Sequence, residues 1–257
     1  MPDDARPDVT LARDGPLAVV TLAAPWRGNA LDGDMLSRLE ALLGELGDAR
    51  VVVLRGAGER AFSTGYHVPS LLAELDQGPS VSDFDGHPLE RALRALEAVA
   101  VPTIALVQGN AYGAGCELAL ACDLRLAADD ARLCMPPAKL GVLYSAIGMR
   151  RLLELVGPSV GKELLFTAEP VDAARALALG LVNRVVPKAE AAAAAIALAT
   201  TIAGNAPLSL RHTKTIFRRF LAPAPLGPEV LAEVARLRDE CFRSDDFRAR
   251  ARALGKR

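Results

Sequence analysis

The 257-residue sequence has little of several features that would assign it to a class at once. Its four cysteines show no metal-ligand spacing, so we interpret them as reduced thiols, most of them buried. The 30 lysines and arginines balance 31 acidic residues, and this net charge of −1 predicts no nucleic acid as partner. We expect a cytoplasmic protein without a metal site or a signal peptide, because no basic stretch followed by an apolar run opens the sequence.

Support for a membrane span is also lacking, because no run of about 20 apolar residues occurs in the sequence. The nearest candidate, residues 189–204, is rich in alanine and flanked by charge, and alanine is only weakly apolar. We interpret it as a helix of a soluble protein that has no membrane partner. The 51% of hydrophobic residues and the chain length predict one large domain, or one domain with a helical appendage.

The first half of the chain alternates short β-like runs with helical periodicity. Continuous apolar runs such as VVVLRG (51–56) are typical of strands that are covered on both faces. The sequence predicts strands at 17–22, 51–56, 102–109, 123–128 and 131–135, and helices near 32–46 and 88–98. This alternation predicts an α/β architecture with right-handed crossovers.

From about residue 145 the pattern becomes almost entirely helical. Gly157 with Pro158, and also Gly180, are expected helix stops. The predicted helices are 146–156, 159–166, 172–179, 188–204, 207–220, 228–243 and 245–254, with one strand at 183–187. Residues 76–87 are rich in turn formers and predict a mobile loop.

The segment VQGNAYGAGCELALACD (107–123) predicts a strand, a glycine-containing turn and a helix. Small residues let another backbone or a ligand approach closely, and the first amides of a helix can hold an anion or a developing oxyanion. The segment is not a phosphate-binding loop, because the lysine and hydroxyl residue of that motif are absent, and its spacing does not fit dinucleotide binding.

Glu117 lies at the start of that predicted helix, and its residue type permits two interpretations. An acid in the first turn interacts favourably with the helix dipole and most often does nothing more. The residues that follow it, Leu118 to Ala121, are all apolar. A carboxylate desolvated among such residues has its pKa raised toward neutrality, which suits proton transfer.

A second glycine loop, ERAFSTGYHV (59–68), follows the predicted strand at 51–56. Ligands in α/β folds collect at the carboxyl ends of strands. The two loops could therefore converge and offer one backbone N–H each to a single oxygen of a ligand.

These two loops resemble the paired signatures of the crotonase superfamily, also called the enoyl-CoA hydratase/isomerase family. The family pattern F-S-A-G-x-D reads FSTGYH (62–67) here, and the pattern G-G-G-C-E-L-A reads GAGCELA (113–119). GNALDGDM (28–35) resembles the N-A-L segment of the family, and TAEPVDAARALALGLVNRVVP (167–187) resembles its T-G…G-L-V-N-x-V-V run. The resemblance covers essentially the whole chain from about residue 9.

The resemblance implies an α/β fold, the ClpP-like spiral of repeated ββα units, with a helical C-terminal region that mediates trimer formation. It divides the chain into a core over 1–190 that carries the acyl-CoA site and a C-terminal helical region over 191–257. It also implies a homo-oligomer, a trimer or a dimer of trimers. The implied substrate is an acyl-CoA thioester, with coenzyme A as part of the substrate and no further cofactor.

The resemblance also implies an oxyanion hole formed by the backbone N–H groups of Tyr66 and Ala114. A thioester carbonyl held by two such donors can carry the negative charge of an enolate, and each donor lowers the barrier by about 3–4 kcal/mol. Proton loss, attack on a double bond and loss of carbon dioxide all pass through that enolate. The implied fold therefore indicates an enolate intermediate but does not determine which of these reactions occurs.

The family's hydratases use two glutamates to position one water and move its proton. The first aligns with Glu117. The second belongs to a Q-P-E-I-x-L-G segment, where this chain reads MPPAKLG (135–141) with Pro137 in the glutamate position. Proline cannot accept or deliver a proton, so ordinary hydration loses one of its two acids, and the usual isomerases are disfavoured for the same reason.

The next residues, GVLYSAIG (141–148), place Tyr144 where many hydratases have a proline. This pattern resembles the methylmalonyl-CoA decarboxylase branch, as do residues 162–180 and 241–254. In that branch the tyrosine is thought to contact the substrate carboxylate, and decarboxylation needs no base to generate the enolate. The resemblance implies decarboxylation of a small malonyl-type CoA ester, with Glu117 and Tyr144 as catalytic residues. A core tyrosine with a backbone partner remains the alternative for Tyr144.

His67 stands where the family has an aspartate, and we assign it with Pro137 to the substrate pocket. A lone loop histidine is more often a solvated or structural group than a catalyst, and His87 and His212 are given less weight. Among the cations, Lys139 and Arg55 are candidates for CoA phosphates, although most surface cations only contact solvent. In the wider family a basic C-terminal segment can approach the CoA of a neighbouring subunit, and the candidates here are Arg243, Arg248 and Arg250.

Two alternatives to decarboxylation remain open at this point. One is an enoyl-CoA hydratase or isomerase in which Tyr144, His67 or a bound water replaces the missing acid. The other is a protein that binds acyl-CoA without turning it over. Some relatives also bind RNA, which the near-neutral charge of this chain argues against.

Overall fold

The computed structural model describes residues 8–76, 86–221 and 228–254 of the chain. The loop predicted at 76–87 falls mainly on residues 77–85, which lie outside the described part. The described residues form a mixed α/β structure with two sheets, one large hydrophobic core and a smaller apolar cluster near the C-terminus. The α/β architecture predicted from the sequence is confirmed.

The larger sheet has six strands, and the predicted strands near the start of the chain belong to it. Its strands, in spatial order, are β1 (Val9–Asp14), β2 (Leu17–Leu22), β3 (Val51–Gly56), β5 (Thr103–Val107), β7 (Leu124–Ala128) and β10 (Arg184–Val186). Strands β1 and β2 form an antiparallel hairpin, and the other neighbouring strands are parallel. All five residues of β5 are buried, which explains its continuous apolar run.

The smaller sheet consists of four short strands. They are β4 (Ala61–Ser63), β6 (Asn110–Tyr112), β8 (Arg132–Cys134) and β9 (Val171–Asp172), of which the first three are parallel. Strands β3, β5 and β7 of the larger sheet are each followed along the chain by one of these strands and then by helix. This ββα repeat stacks three strand ends at one edge of the smaller sheet, and the glycine loops leave the sheet at that edge.

Helices α1 (Gly33–Leu43) and α3 (Pro88–Ala98) pack against each other. Helix α1 begins at Asp32, whose side chain accepts a hydrogen bond from the amide of Met35 at 2.9 Å. Its buried face consists of Met35, Leu36, Leu39, Leu42 and Leu43, as the periodicity predicts. Helix α3 has a proline in its first turn and His87 at its N-cap.

The remaining helices connect and cover the two sheets. They are α2 (Val68–Asp76), α4 (Ala114–Ala121), α5 (Pro137–Leu140), α6 (Ala146–Thr167), α7 (Ala173–Ala178), α8 (Ala191–Gly204), α9 (Pro207–Leu221), α10 (Pro228–Arg243) and α11 (Asp245–Leu254). The chain leaves the helical conformation inside α6 at Gly157, with φ 73° and ψ 171°, at the predicted stop. The mostly helical C-terminal half is confirmed.

The C-terminal helices do not form a single separate unit. Helix α8 packs against β3, β5 and β7, and its Ala195, Leu198 and Ala199 belong to the large core. Helices α10 and α11 instead form the smaller cluster, in which Phe242, Phe247 and Ala251 are buried. The division at residues 190 and 191 stays a prediction.

Within the described ranges, no single helix is long and apolar enough to cross a membrane. Residues 188–204 and 207–221 pass the same test only as a pair that is bent by 103°. Cys116, Cys122 and Cys134 are buried and free, in agreement with the prediction for most of the cysteines, and Cys241 is half-buried.

Candidate active site

The two glycine loops meet at one edge of the smaller sheet. Strands β4 and β6 are parallel neighbours, so their carboxyl ends lie side by side. Gly65 has a φ of 97°, and a Cβ on it would lie 2.7 Å from the carbonyl oxygen of Tyr112 and 3.5 Å from the amide nitrogen of Ala114. Only glycine permits this approach. The loops converge as the sequence predicts.

Tyr66 and Ala114, the predicted amide donors, line the same cavity at this edge. Tyr66 forms an isolated parallel bridge with Leu31, whose amide donates to the Gly65 carbonyl at 2.8 Å and whose carbonyl accepts from His67 at 2.7 Å. The amide of Tyr66 therefore lies on the side of the strand that faces away from Leu31. Ala114 is the first residue of α4, where amides have no acceptor within the helix. Their role as an oxyanion hole stays a prediction.

The cavity has a volume of about 530 Å³ and a mainly apolar lining. Leu140, Val142 and Leu143 come from the segment after β8, and Phe242 comes from α10. The polar side chains in its described wall include those of Glu117, Tyr144, Ser145 and Arg238. An apolar cavity with a few convergent polar groups is typical of a small-molecule site.

Glu117 is 5% exposed and lies in the first turn of α4, facing the cavity. Burial raises the pKa of its carboxyl to about 7. The positive charges of Arg151 and Arg238 act against this rise, whereas the negative charge of Glu90 adds to it. Of the two interpretations of Glu117, the structure favours the desolvated carboxyl, because helix-dipole stabilisation alone would lower its pKa.

Gly148 of α6 packs directly against the carboxyl group of Glu117. A Cβ on Gly148 would lie 2.3 Å from Oε1 of Glu117, so no larger residue fits while this carboxyl keeps its position. The amide of Gly148 donates to Oγ of Ser145 at 3.0 Å, and this hydroxyl donates to Oε1 of Glu90 at 2.5 Å. Glu90 is 1% exposed and lies on α3. A second buried acid, Glu90, is thus connected through Ser145 to Gly148, the residue that packs against Glu117.

Two buried arginines complete the surroundings of Glu117. Burial alone would lower the pKa of Arg151, but the hydrogen bond and charge of Glu97, which accepts from its Nε at 2.6 Å, outweigh this and raise it. Arg238 of α10 donates from Nε to the carbonyl oxygen of Leu143 at 2.9 Å. Burial lowers the pKa of Arg238 to about 10, so it is cationic at neutral pH. Neither arginine was a sequence-based candidate.

Tyr144 lines the cavity close to the glycine loop that precedes α4. Its hydroxyl oxygen lies 3.7 Å from the position that a Cβ on Gly113 would take. Burial raises the pKa of Tyr144 well above its ordinary value, and the charge of Glu117 acts in the same direction. The hydroxyl therefore stays protonated and can donate a hydrogen bond. Its catalytic role stays a prediction.

The structure does not bring His67 and Pro137 to the cavity wall. Nδ1 of His67 lies 2.9 Å from Oγ of Ser70, in the first turn of α2. Pro137 is buried at the start of α5, and the neighbouring Pro136 lines the cavity instead. The assignment of these two residues to the substrate pocket stays a prediction. Pro137 still occupies the sequence position of the second hydratase glutamate.

Only some of the basic candidates line the cavity. Lys139 and Arg250 line the cavity, whereas Arg55 is not among its lining residues. Arg243 lies 2.9 Å from Asp239, and Arg248 lies 3.8 Å from Asp245, both at exposed sites. Arg250 lines the cavity of its own chain, because α11 packs over α2 and α5, and its approach to the CoA of a neighbouring subunit stays a prediction.

Sequence reasoning missed Glu90, Ser145 and Arg238, and it gave His87 little weight. His87 lines the cavity with its ring centroid 5.5 Å from that of Tyr66. Glu90 is an acid on the apolar face of α3. Arg238 precedes Phe242 by four residues and therefore lies on the same face of α10. A charged residue on an apolar helix face is a signal that could have identified both. Ser145 could only have been recognised as a helix cap.

Comparison with known proteins agrees with this geometry. A profile of the enoyl-CoA hydratase/isomerase family matches residues 13–255. The short-chain enoyl-CoA hydratase of Clostridium acetobutylicum is 36% identical over 219 residues, 82% of this chain and 81% of that protein. The crotonyl-CoA hydratase of Syntrophomonas wolfei is 32% identical over 210 residues, 80% of each chain.

Solved structures give the same family from the fold. The crystal structure of methylmalonyl-CoA decarboxylase complexed with 2S-carboxypropyl-CoA superposes with a TM-score of 0.89. It is 28% identical and covers 98% of this chain and 97% of its own. The fold is therefore the crotonase fold with a helical C-terminal region, as the resemblance implied. Taken with the two converging glycine loops, these similarities establish that the chain belongs to the enoyl-CoA hydratase/isomerase family, the crotonase superfamily, whose substrates are acyl-CoA thioesters.

Proposed function

We propose that this chain is an acyl-CoA decarboxylase acting on a small malonyl-type CoA ester. The observation that carries the proposal is the number of acids at the site. Among the described residues, Glu117 is the only carboxylic acid that lines the cavity, and Pro137 occupies the place of the second hydratase glutamate. Decarboxylation needs no base to form the enolate, so one acid suffices.

In the first step the thioester oxygen accepts hydrogen bonds from the amides of Tyr66 and Ala114. The bond between the α-carbon and the carboxylate breaks, carbon dioxide leaves, and the electron pair remains as the enolate. Two amide donors directed at the developing negative charge lower the barrier by about 3 kcal/mol each. The similarity to the structure of methylmalonyl-CoA decarboxylase supports this step.

In the second step the α-carbon of the enolate takes a proton from Glu117, and the thioester carbonyl forms again. A carboxyl with a pKa of about 7 is protonated in roughly half of the molecules at neutral pH, so it can serve as the acid. Water then returns the proton to Glu117. The hydroxyl of Tyr144 stays protonated and orients the substrate by donating a hydrogen bond.

The proposal is tested by incubating the protein with methylmalonyl-CoA and, separately, with crotonyl-CoA. We expect release of carbon dioxide and formation of propionyl-CoA, with slow or no hydration of crotonyl-CoA. Rapid hydration without release of carbon dioxide would refute the decarboxylase assignment. Tight binding of both thioesters without turnover would instead show a binding protein.

The second candidate is an enoyl-CoA hydratase, and the names of the curated relatives favour it. Those from Clostridium acetobutylicum and Syntrophomonas wolfei are both hydratases, at 36% and 32% identity. Glu117→Gln separates the two reactions. A hydratase loses nearly all turnover with this variant, whereas a decarboxylase still forms its enolate and retains part of its activity, because water can protonate the product.

We also infer that the chain forms a homotrimer or a dimer of trimers. Helix α9 supports this, because it exposes large apolar side chains that a single chain leaves in water. These are Leu208, Ile216, Phe217, Phe220 and Leu221, exposed by 43–78%. Light scattering during size-exclusion chromatography is expected to give a mass of three or six chains, and a monomer of 27.1 kDa would contradict the inference.

A further inference from the structure

The cations in the cavity wall lie at two different depths. In the described part of the chain, Lys139, Arg238 and Arg250 line the cavity. Lys139 and Arg250 are exposed, whereas Arg238 is only 3% exposed. Exposed cations at the surface can meet the phosphates of coenzyme A, which stay in contact with water. A buried cation can only meet a group that enters the interior of the cavity with the acyl chain.

Arg238 lies beside the residues that surround the reacting end of the substrate. Its Nε donates to the carbonyl oxygen of Leu143 at 2.9 Å, directly before Tyr144 and Ser145 in the chain. Its guanidinium carbon lies 5.8 Å from the ring centroid of Phe242, which also lines the cavity. Arg238 and Glu117 line the same cavity. These contacts place Arg238 at the acyl end of the cavity.

A buried guanidinium in an apolar wall distinguishes charged from neutral acyl groups. An uncharged chain packed against it gains no electrostatic interaction with the cation. A carboxylate returns a charge-assisted hydrogen bond, and two terminal nitrogens of one guanidinium match the two oxygens of one carboxylate. The apolar part of the wall, formed by Leu140, Val142 and Leu143, offers a carboxylate no donor, so Arg238 acts beside the hydroxyl of Tyr144, which is neutral and contributes a weaker hydrogen bond.

We propose that Arg238 is the residue that determines substrate specificity at this site, by selecting acyl-CoA thioesters whose acyl group carries a carboxylate. This inference rests on the proposed function and deepens it, since it identifies the side chain that binds the carboxylate lost in the reaction. The carboxylate is anionic when bound and departs as neutral carbon dioxide. The ion pair with Arg238 therefore stabilises the bound substrate more than the transition state, so it lowers KM without raising kcat.

The test compares two CoA thioethers that differ only in charge. The probes are 2-carboxypropyl-CoA and its neutral isostere 2-carbamoylpropyl-CoA, in which a carboxamide replaces the carboxylate. Both lack the thioester carbonyl, so their binding does not depend on enolate formation. Kd is measured by calorimetry for the wild type, Arg238→Gln and Arg238→Met. Glutamine keeps a donor for the carbonyl of Leu143, and Arg236→Met, on the exposed side of α10, is the matched control.

We expect the wild type to bind the carboxylated probe at least tenfold more tightly than the neutral one. A charge-assisted hydrogen bond contributes enough for Arg238→Gln and Arg238→Met to weaken binding of the carboxylated probe by roughly 10- to 100-fold. Binding of the neutral probe and the behaviour of Arg236→Met should stay at wild-type levels. Thermal unfolding identifies any variant that does not fold, and the glutamine variant then carries the test.

Two outcomes would overturn the inference. The first is an unchanged preference for the carboxylated probe in Arg238→Gln. The second is an equal loss of binding for both probes, which indicates a structural role of the arginine. If the wild type releases no carbon dioxide from methylmalonyl-CoA but shows the preference that depends on Arg238, the inference stands and the decarboxylase proposal fails.

Discussion

Glu117→Gln provides a quantitative test of the environment of the central carboxyl. The ordinary pKa of a glutamate side chain is 4.5, and burial raises that of Glu117 to about 7 in the folded protein. A carboxyl with a higher pKa in the folded state holds its proton more tightly when folded. Its contribution to stability is therefore fully present below pH 4.5 and is lost as the pH rises to about 7.

The size of this loss follows from the shift in pKa. At about 1.4 kcal/mol for each pH unit, ionising Glu117 costs the folded protein roughly 3 kcal/mol above pH 7. Glutamine cannot ionise and does not have this cost. Relative to the wild type, Glu117→Gln should gain roughly 2–3 kcal/mol in the free energy of unfolding between pH 5 and pH 8.

The assay is urea unfolding of both proteins at pH 5, 6, 7 and 8, at one protein concentration so that subunit association contributes equally. Glu59→Gln, at an exposed site, is the control and should follow the wild type at every pH. A constant difference in unfolding free energy between the wild type and Glu117→Gln across this range would refute the reasoning, because it would mean that the carboxyl is hydrated in the folded state.

Three further variants address the groups around Glu117. Gly148→Ala puts a Cβ 2.3 Å from Oε1 of Glu117, so the carboxyl must move by about 1 Å. We expect kcat to fall by up to roughly 100-fold, but no further than in Glu117→Gln, with little change in the melting temperature, and an unchanged kcat would contradict this contact. Tyr144→Phe should raise KM for methylmalonyl-CoA about tenfold, as the loss of a hydrogen bond to a charged group predicts. An unchanged KM would show that the hydroxyl does not contact the substrate. Glu90→Gln removes a negative charge that raises the pKa of Glu117, so the alkaline limb of the pH–kcat profile should move to lower pH, whereas a shift to higher pH would contradict the assigned sign.

The longer elements of the fold were predictable because each has a pattern of its own. The apolar run of β3 and the periodic face of α1 appear where they were expected, and Gly157 interrupts α6 at the predicted stop. Strands β4 and β6, of three residues each, are too short to show an alternation of their own and form only because they pair with each other. Their positions were implied only by the glycine loops that follow them.

The candidate site was predictable where backbone geometry decides it and not where side chains from distant elements meet. Gly65 and Gly113 signalled the converging loops, because close approach demands glycine. Glu90 and Arg238 lie far from these loops in sequence, on α3 and α10, and only the packing of those helices brings their charges to Glu117. The position of His67 in a family motif did not reveal the direction of its side chain, whose Nδ1 lies 2.9 Å from Oγ of Ser70.

The central claim is that two amides from separate loops hold one thioester oxygen while Glu117 faces the α-carbon. A crystal structure of the protein with a non-decarboxylating methylmalonyl-CoA thioester analogue tests it most directly. We expect this oxygen at about 3 Å from the amide nitrogens of both Tyr66 and Ala114. An analogue bound with its thioester oxygen away from both amides would contradict the claim.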